Sequence, residues 1–196
     1  MTSLEAAPAS SPDTPRLAVS VIIPCLNEEL SVAACVEQAL EGLANGGIEG
    51  EVIVADNGST DRSVELATAA GARVVVEPKR GKGHATRAGI RAAAGEYIIL
   101  ADADGTYDLR HLKPLIDHLS EGCDMVVGNR LKGEIAENAM PRLHRYVGNP
   151  LIGGFISLVA GRRFGDCLSG LRSFRRDAWN RMSPRSPGFE LETEIC

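Results

Sequence analysis

The 196-residue chain predicts an α/β fold with a mostly parallel central sheet and helices on both faces. Three observations carry that expectation. Short apolar runs alternate along the chain with segments whose apolar residues recur at helical spacing. The runs are apolar almost throughout, as buried strands of a parallel sheet are. The composition, 44% hydrophobic and 24% charged, is that of one soluble globular domain.

Taken in order, Ala18–Ile23 (AVSVII) is a buried strand, closed by Pro24. Val32, Cys35, Val36, Ala39, Leu40 and Leu43 then fall on one face of a helix. Val52–Ala55 (VIVA) is a second strand leading into Asp56-Asn57-Gly58-Ser59-Thr60, and the helix after it ends near Gly71 in a left-handed stop. Arg73–Val76 (RVVV) is a third strand, followed by a Gly/Lys-rich loop and an Ala-rich helix ending at Gly95. Tyr97–Leu100 (YIIL) is a fourth strand that runs into Asp102-Ala103-Asp104. Leu109, Leu112, Leu115, Ile116 and Leu119 mark an amphipathic helix, and Met125–Gly128 (MVVG) a fifth strand. Beyond Gly128 the periodicity is broken up by Gly, Asn and Pro.

The flanks and the charge bound the function. Residues 1–16 are rich in Ala, Ser and Pro without the hydrophobic stretch of a signal peptide, so a disordered tail is expected before a domain over 17–196. The abrupt stop at Glu194-Ile195-Cys196 suggests a domain incomplete at its C-terminus. The uncharged run Tyr146–Gly161 is shorter than the roughly 20 residues of a membrane span. It reads as a buried segment or as a helix lying on a membrane surface. A net charge of −5 argues against nucleic acid as a partner, and an anionic ligand would need a local basic site or a bound cation. Five cysteines without a CxxC pair point to reduced thiols in the cytosol rather than a disulfide framework or a zinc site.

In an open α/β sheet, ligands bind beyond the carboxyl ends of the strands. Three polar clusters stand there: Asn27-Glu28-Glu29, Asp56, and Asp102 with Asp104. Their convergence on one rim is the main indication of an active site. Asp102 and Asp104, two apart, would project to the same side of an extended chain. Two such carboxylates invite a hard cation, Mg²⁺ or Mn²⁺, able to bridge a nucleotide diphosphate; an ordinary acidic turn is the alternative. Asp56 either belongs to the Asn57-Gly58 turn or meets a nucleobase edge. Lys79–His84 (KRGKGH) is not a Walker A loop. Its glycines either let backbone amides approach an anion or simply make a flexible basic loop, and His84 reads as structural. Arg130 and Arg145 would suit a phosphate beside an apolar surface, hence a lipid phosphate.

Six motifs, VSVIIPCLNEE (19–29), ADNGSTD (55–61), KRGKGHATRAG (79–89), DADGTYD (102–108), VVGNR (126–130) and DCLSGLRSFRRD (166–177), occur in the order seen in family 2 glycosyltransferases. The chain resembles most the polyprenyl-phosphate (dolichol-phosphate) mannosyl- or glucosyltransferases of that family. The resemblance implies a GT-A fold, a nucleotide-sugar donor (UDP-glucose or GDP-mannose), a divalent metal and inversion at the anomeric carbon. It also implies a polyprenyl phosphate acceptor and peripheral contact with the cytoplasmic face of a membrane. By the same resemblance Pro24, Asn27, Glu28, Asp56, Lys82 and Asp102 bind the nucleotide. Asp102 and Asp104 hold the metal, and Arg130, Arg145 and Asn149 hold the acceptor phosphate. Asp102, Asp104 and Arg130 then carry the catalysis. An ionised acceptor phosphate needs no general base. Gly105-Thr106-Tyr107 departs from the Leu-Gln-His tail common after the two aspartates, so donor preference does not carry over. Glu192 and Glu194 match an acidic segment near the family's later part.

Three rivals remain open. A sugar-hydroxyl acceptor would need a base, which Glu190, Glu192 or Glu194 would supply. IILADADGTYD also resembles the first motif of haloacid dehalogenase-type phosphatases, with Asp102 as nucleophile and Asp104 as acid/base. A nucleotidyltransferase of the same fold would want a Gly/Arg-rich loop where Pro24-Cys25-Leu26-Asn27 stands.

Overall fold

A computed structural model describes residues 18–128 and 169–195. The tail expected over 1–16, the Tyr146–Gly161 run, and Arg130, Arg145 and Asn149 all lie outside the described residues.

The described chain forms six strands and six helices. The strands are β1 (Val19–Cys25), β2 (Gly50–Asp56), β3 (Arg73–Val76), β4 (Tyr97–Leu100), β5 (Met125–Val127) and β6 (Arg172–Arg175). The helices are α1 (Val32–Asn45), α2 (Ser63–Ala69), α3 (Lys82–Ala92), α4 (Lys113–Ser120), α5 (Arg176–Met182) and α6 (Leu191–Glu194). The strands make one sheet in the order β3-β2-β1-β4-β6-β5. β1 to β4 are mutually parallel, and β6 runs antiparallel to β4 and β5 on either side of it.

β1, β2 and β4 bury both faces, while β3 stays half-exposed at the sheet edge. Val19, Val21, Ile23, Val52, Val54 and Ile99 point into a core shared with α1, whose Val32, Cys35, Val36, Ala39 and Leu43 are buried there. Ile22, Ile53, Ile98 and Leu100 face the opposite core, closed by Ile90 of α3, Trp179 of α5 and Leu191 of α6. Period-two alternation thus sends successive residues of one strand into two different cores. Phe174 stacks on Trp179 with ring centroids 5.0 Å apart, which ties β6 to α5.

Several boundaries differ from expectation. β1 runs through Pro24 to Cys25 rather than closing before it. Even-numbered residues of β1 face β4, as the Ala101 N–H bond to Ile22 O shows. β4 pairs only as far as Ile22, so the proline's missing N–H costs no ladder bond. α3 stops at Ala92, not Gly95. Gly95 instead donates its N–H to Ser20 Oγ at 2.9 Å, and the Arg176 guanidinium binds the carbonyls of Ala93 and Gly95 beyond the helix end. Leu109 and Leu112 are buried as expected but precede α4. Gly71 does take the left-handed stop, with φ +101°.

The largest departure is β6. The sequence leaves RSFR without a strand assignment, and the structure inserts it between β4 and β5. β1, meanwhile, leads to β2 on one side while β4 lies on its other side. The order reverses between β1 and β4, which opens a crevice at their carboxyl ends.

Candidate active site

The loops after β1, β2 and β4 meet at that reversal. The first two are stitched together. Asn27 N–H donates to Ser59 Oγ (3.0 Å), Glu28 N–H to Ser63 Oγ (2.8 Å) and Glu29 N–H to Asp61 Oδ2 (3.1 Å). In return Thr60 N–H donates to Asn27 Oδ1 (2.8 Å) and Arg62 N–H to Glu29 Oε2 (3.1 Å). Asn27 takes a left-handed φ of 57° to make these contacts, a conformation asparagine tolerates.

Asp56 ends β2 and is buried. Its carboxylate accepts the N–H groups of Gly58 (3.0 Å) and Ser59 (3.1 Å), the turn geometry that Asn57-Gly58 predicts. Asn57, which sequence reasoning treated only as a turn residue, also holds the next loop. Its Nδ2 donates to the carbonyls of Glu77 and Lys79, and its Oδ1 accepts the Gly81 N–H at 2.7 Å.

Asp102 and Asp104 follow β4, but the chain has already left extended geometry. Ala103 and Asp104 lie in a turn, which replaces the strand alternation invoked from sequence. Asp104 is exposed, with Oδ1 accepting the Thr106 N–H at 2.9 Å. Asp102 is half-buried, and its Oδ1 receives the Lys82 ammonium at 2.5 Å. Lys82 Nζ also donates to Glu192 Oε1 and lies 5.0 Å from the centroid of the Phe189 ring. Burial works against the charge of Lys82, but the Asp102 and Glu192 carboxylates outweigh it and raise the pKa above the ordinary lysine value. Burial likewise pushes the Cys35 thiol up, and the negative charges of Asp104, Glu28 and Asp102 reinforce it. One thiol therefore senses acids from two of the three rim clusters.

Pro24, Lys82, Asp102, Gly170, Arg172 and Glu192 line one cavity. The structure thus brings together Pro24, Lys82 and Asp102 of the sequence-predicted nucleotide set. Asn27, Glu28 and Asp56 belong to the stitched loops beside it, and Asp104 to the turn at its edge. A Cβ on Gly170 would collide with Asp102 Oδ2, so a larger residue there would displace the carboxylate. The Gly170 N–H donates to Tyr107 Oη at 2.6 Å, giving a role to the tyrosine of the divergent tail. Arg172 is buried and donates to the carbonyls of Ser169 and Glu192, joining the two cavity walls. The sequence placed Gly170 and Arg172 only within the DCLSGLRSFRRD motif and Glu192 only in an acidic segment; their meeting with Asp102 and Lys82 carried no signal, because those partners are remote along the chain.

The three terminal glutamates part company. Only Glu192 reaches the cavity, while Glu194 accepts the N–H groups of Arg185 and Ser186. The glycines of KRGKGH also serve a purpose the sequence did not suggest. A Cβ on Gly81 would collide with Pro187 O and one on Gly83 with Ser186 O, so backbone packing requires them. His84 pairs with Arg87 at 3.1 Å, as a structural histidine does.

Among the described residues, no group of three or more His, Cys, Asp and Glu side chains is placed to hold a metal, and no helix is long and apolar enough to cross a membrane.

Comparison with known proteins bears on the family and the fold. The chain is 42% identical over 178 residues to a Haloferax volcanii protein named low-salt glycan biosynthesis hexosyltransferase Agl6, covering 90% of this chain and 43% of that one. It is 33% identical over 163 residues to a dolichyl-phosphate hexose transferase of the same organism, covering 81% of this chain and 67% of that one. It spans about half the length of the first curated relatives it matches, 43% and 57% for two of them. Among solved structures, glucosyl-3-phosphoglycerate synthase of Mycobacterium tuberculosis, in complex with Mn²⁺, uridine-diphosphate and phosphoglyceric acid, superposes with a TM-score of 0.69. The identity is 28%, and the match covers 91% of this chain and 62% of that one. The architecture is the GT-A fold. The phosphatase reading gives way, because the match to the family described as "Glycosyl transferase family 2" runs over residues 20–182 and takes in the aspartate motif within it. The chain belongs to glycosyl transferase family 2.

Proposed function

We propose that this domain moves a hexose from a nucleoside diphosphate sugar to a polyprenyl phosphate, inverting the anomeric carbon, at the cytoplasmic face of a membrane. The observation that carries the proposal is the Asp102 carboxylate, aimed into the β1/β4 crevice and already gripping a cation, the Lys82 ammonium at 2.5 Å. In this reading the ammonium holds a place that a divalent ion would share or take. Two carboxylates, Asp102 and Asp104, suit Mg²⁺ or Mn²⁺, which commonly take one or two protein carboxylates and complete their shell with substrate phosphates and water. Bound there, the ion would supply charge neutralisation of the departing diphosphate.

The chain's own residues do the rest. Pro24, Asn27, Glu28 and Asp56 form the nucleotide side of the crevice, and Lys82 adds a second positive charge where negative charge develops. Arg130, Arg145 and Asn149 are assigned to the acceptor phosphate. An acceptor oxygen forms its bond to C1 as the bond from C1 to the diphosphate oxygen breaks, and the nucleoside diphosphate leaves with the electron pair. The phosphate is ionised beforehand, so no proton has to be removed and alignment dominates catalysis.

A hydroxyl acceptor is the second reading, supported by Glu192. It is a carboxylate on the cavity wall opposite Asp102's loop and would serve as base once Lys82 leaves it. The two separate in one experiment: purified protein, Mn²⁺, polyprenyl phosphate and radiolabelled UDP-glucose or GDP-mannose. Label extracted into the lipid phase is expected. Turnover of donor with all label left in water-soluble product would reject the lipid acceptor.

A further inference from the structure

Lys82 opens α3 and is clamped between two acids, with Nζ 2.5 Å from both Asp102 Oδ1 and Glu192 Oε1 and side-chain exposures of 19%, 23% and 18% respectively. The clamp is held from both ends. Leu191 and Ile195 anchor α6 in the core, Arg172 binds the Glu192 carbonyl, and Gly170 packs directly on the Asp102 carboxylate. Asp102 is therefore not an open ligand: a cation belonging to the protein already occupies it.

We infer that Lys82 couples metal binding to nucleotide binding, by holding Asp102 against a metal ion alone and moving onto the diphosphate when ion and nucleotide arrive together. The inference rests on the reading of Asp102 and Asp104 as metal ligands. A divalent ion approaching alone must displace the ammonium or sit beside it, and like charges repel strongly in a partly buried space. Displacement takes one of two carboxylate partners from the ammonium and leaves it Glu192 as its paired acid among the described residues. A nucleoside diphosphate supplies anionic oxygens for both cations, so the repulsion vanishes when the two ligands bind together. Glu192 keeps the displaced ammonium inside the cavity. Such coupling is reciprocal: the nucleotide tightens the ion by the factor by which the ion tightens the nucleotide.

The test measures Mn²⁺ binding, by electron paramagnetic resonance of the free ion, with and without UDP or GDP. Lys82→Gln is expected to bind Mn²⁺ alone about tenfold more tightly than the parent, and the tightening produced by nucleotide should shrink by about the same factor, within the usual range of coupling. Glu192→Gln, which leaves the ammonium to Asp102 alone, should bind Mn²⁺ alone more weakly yet recover with nucleotide. That second variant stands on its own should Lys82→Gln not fold. Unchanged affinity for Mn²⁺ alone in these variants, with nucleotide-dependent binding intact, overturns the coupling role and leaves the metal site standing. No Mn²⁺ binding to the parent under any condition overturns the metal site and the coupling together.

Discussion

Glu51 shows how one side chain fixes the strand ends beneath the site. It lies on β2 and accepts the Ala94 N–H (2.8 Å), the Ser20 hydroxyl (2.8 Å) and the Arg73 guanidinium (2.7 Å). It thereby links the α3–β4 turn to β1, β2 and β3. Burial pushes its pKa up, but the Ala94 N–H, Arg73 and Ser20 outweigh burial and hold the carboxyl below its ordinary value of 4.5. A depressed folded-state pKa gives stability that is fully present above the unfolded value and lost as pH falls through the folded one. Glu51→Gln should therefore cost about 1 kcal/mol at neutral pH, toward the low end for hydrogen bonds to a charged group because Arg73 is half-exposed. Below pH 4.5 the variant should lose stability less steeply than the parent. Urea denaturation at a series of pH values checks both, and parallel curves would show that the carboxyl does not titrate on unfolding.

Among the elements, α3 and the segment that crosses its first turn decide whether the site is closed. Gly83→Ala should gain about 1 kcal/mol from helix propensity. It loses more, roughly 1–3 kcal/mol, from overpacking, because the Ala Cβ meets the Ser186 carbonyl, which is backbone and cannot swing aside. The net effect should be destabilisation, with amide exchange rising over residues 186–195, where Glu192 sits. Unchanged exchange there would mean that the segment does not depend on this contact. The sequence read these glycines as an anion loop or a flexible one because the contacting carbonyls lie some hundred positions away, with Arg87 bonding Ser186 O across 99 residues. The four parallel strands were legible for the opposite reason: each is a local apolar run, and β1, β2 and β4 are buried on both faces as their composition implies, while β3 lies half-exposed at the sheet edge. β6 was not legible. Its Arg172, Ser173 and Phe174 are all buried, and the carbonyls of Ser169 and Glu192 that help receive the arginine lie outside the strand itself. In the site, Asp102 and Asp104 announced themselves as acids following an apolar strand. Glu192 stood out only as one of three terminal glutamates, and its pairing with Lys82 was hidden because 110 residues separate the two.

At the scale of the whole molecule, the crevice draws on both halves of the chain, with Pro24 near the end of β1, Asp102 after β4, Lys82 at the head of α3 and Glu192 in α6. A ligand seated there bridges both cores, so binding should read out as stability of the entire domain rather than of one loop. A ligand for the native state alone adds about 2.7 kcal/mol at a hundredfold excess over its dissociation constant. For a chain of this length that corresponds to a rise in Tm of roughly 5–10 °C. Mn²⁺ with UDP or with GDP is expected to produce such a rise, and the larger of the two identifies the base. Either Mn²⁺ or nucleotide alone should give much less, since the carboxylates of Asp102 and Asp104 and the diphosphate each supply only part of the ion's oxygen shell. Asp104→Ala should reduce the joint effect to that of nucleotide alone, because its exposed carboxylate bears on no core contact and its loss leaves the fold intact. A cooperative melt that none of these combinations moves would mean that the crevice at the β1/β4 reversal does not bind a nucleoside diphosphate.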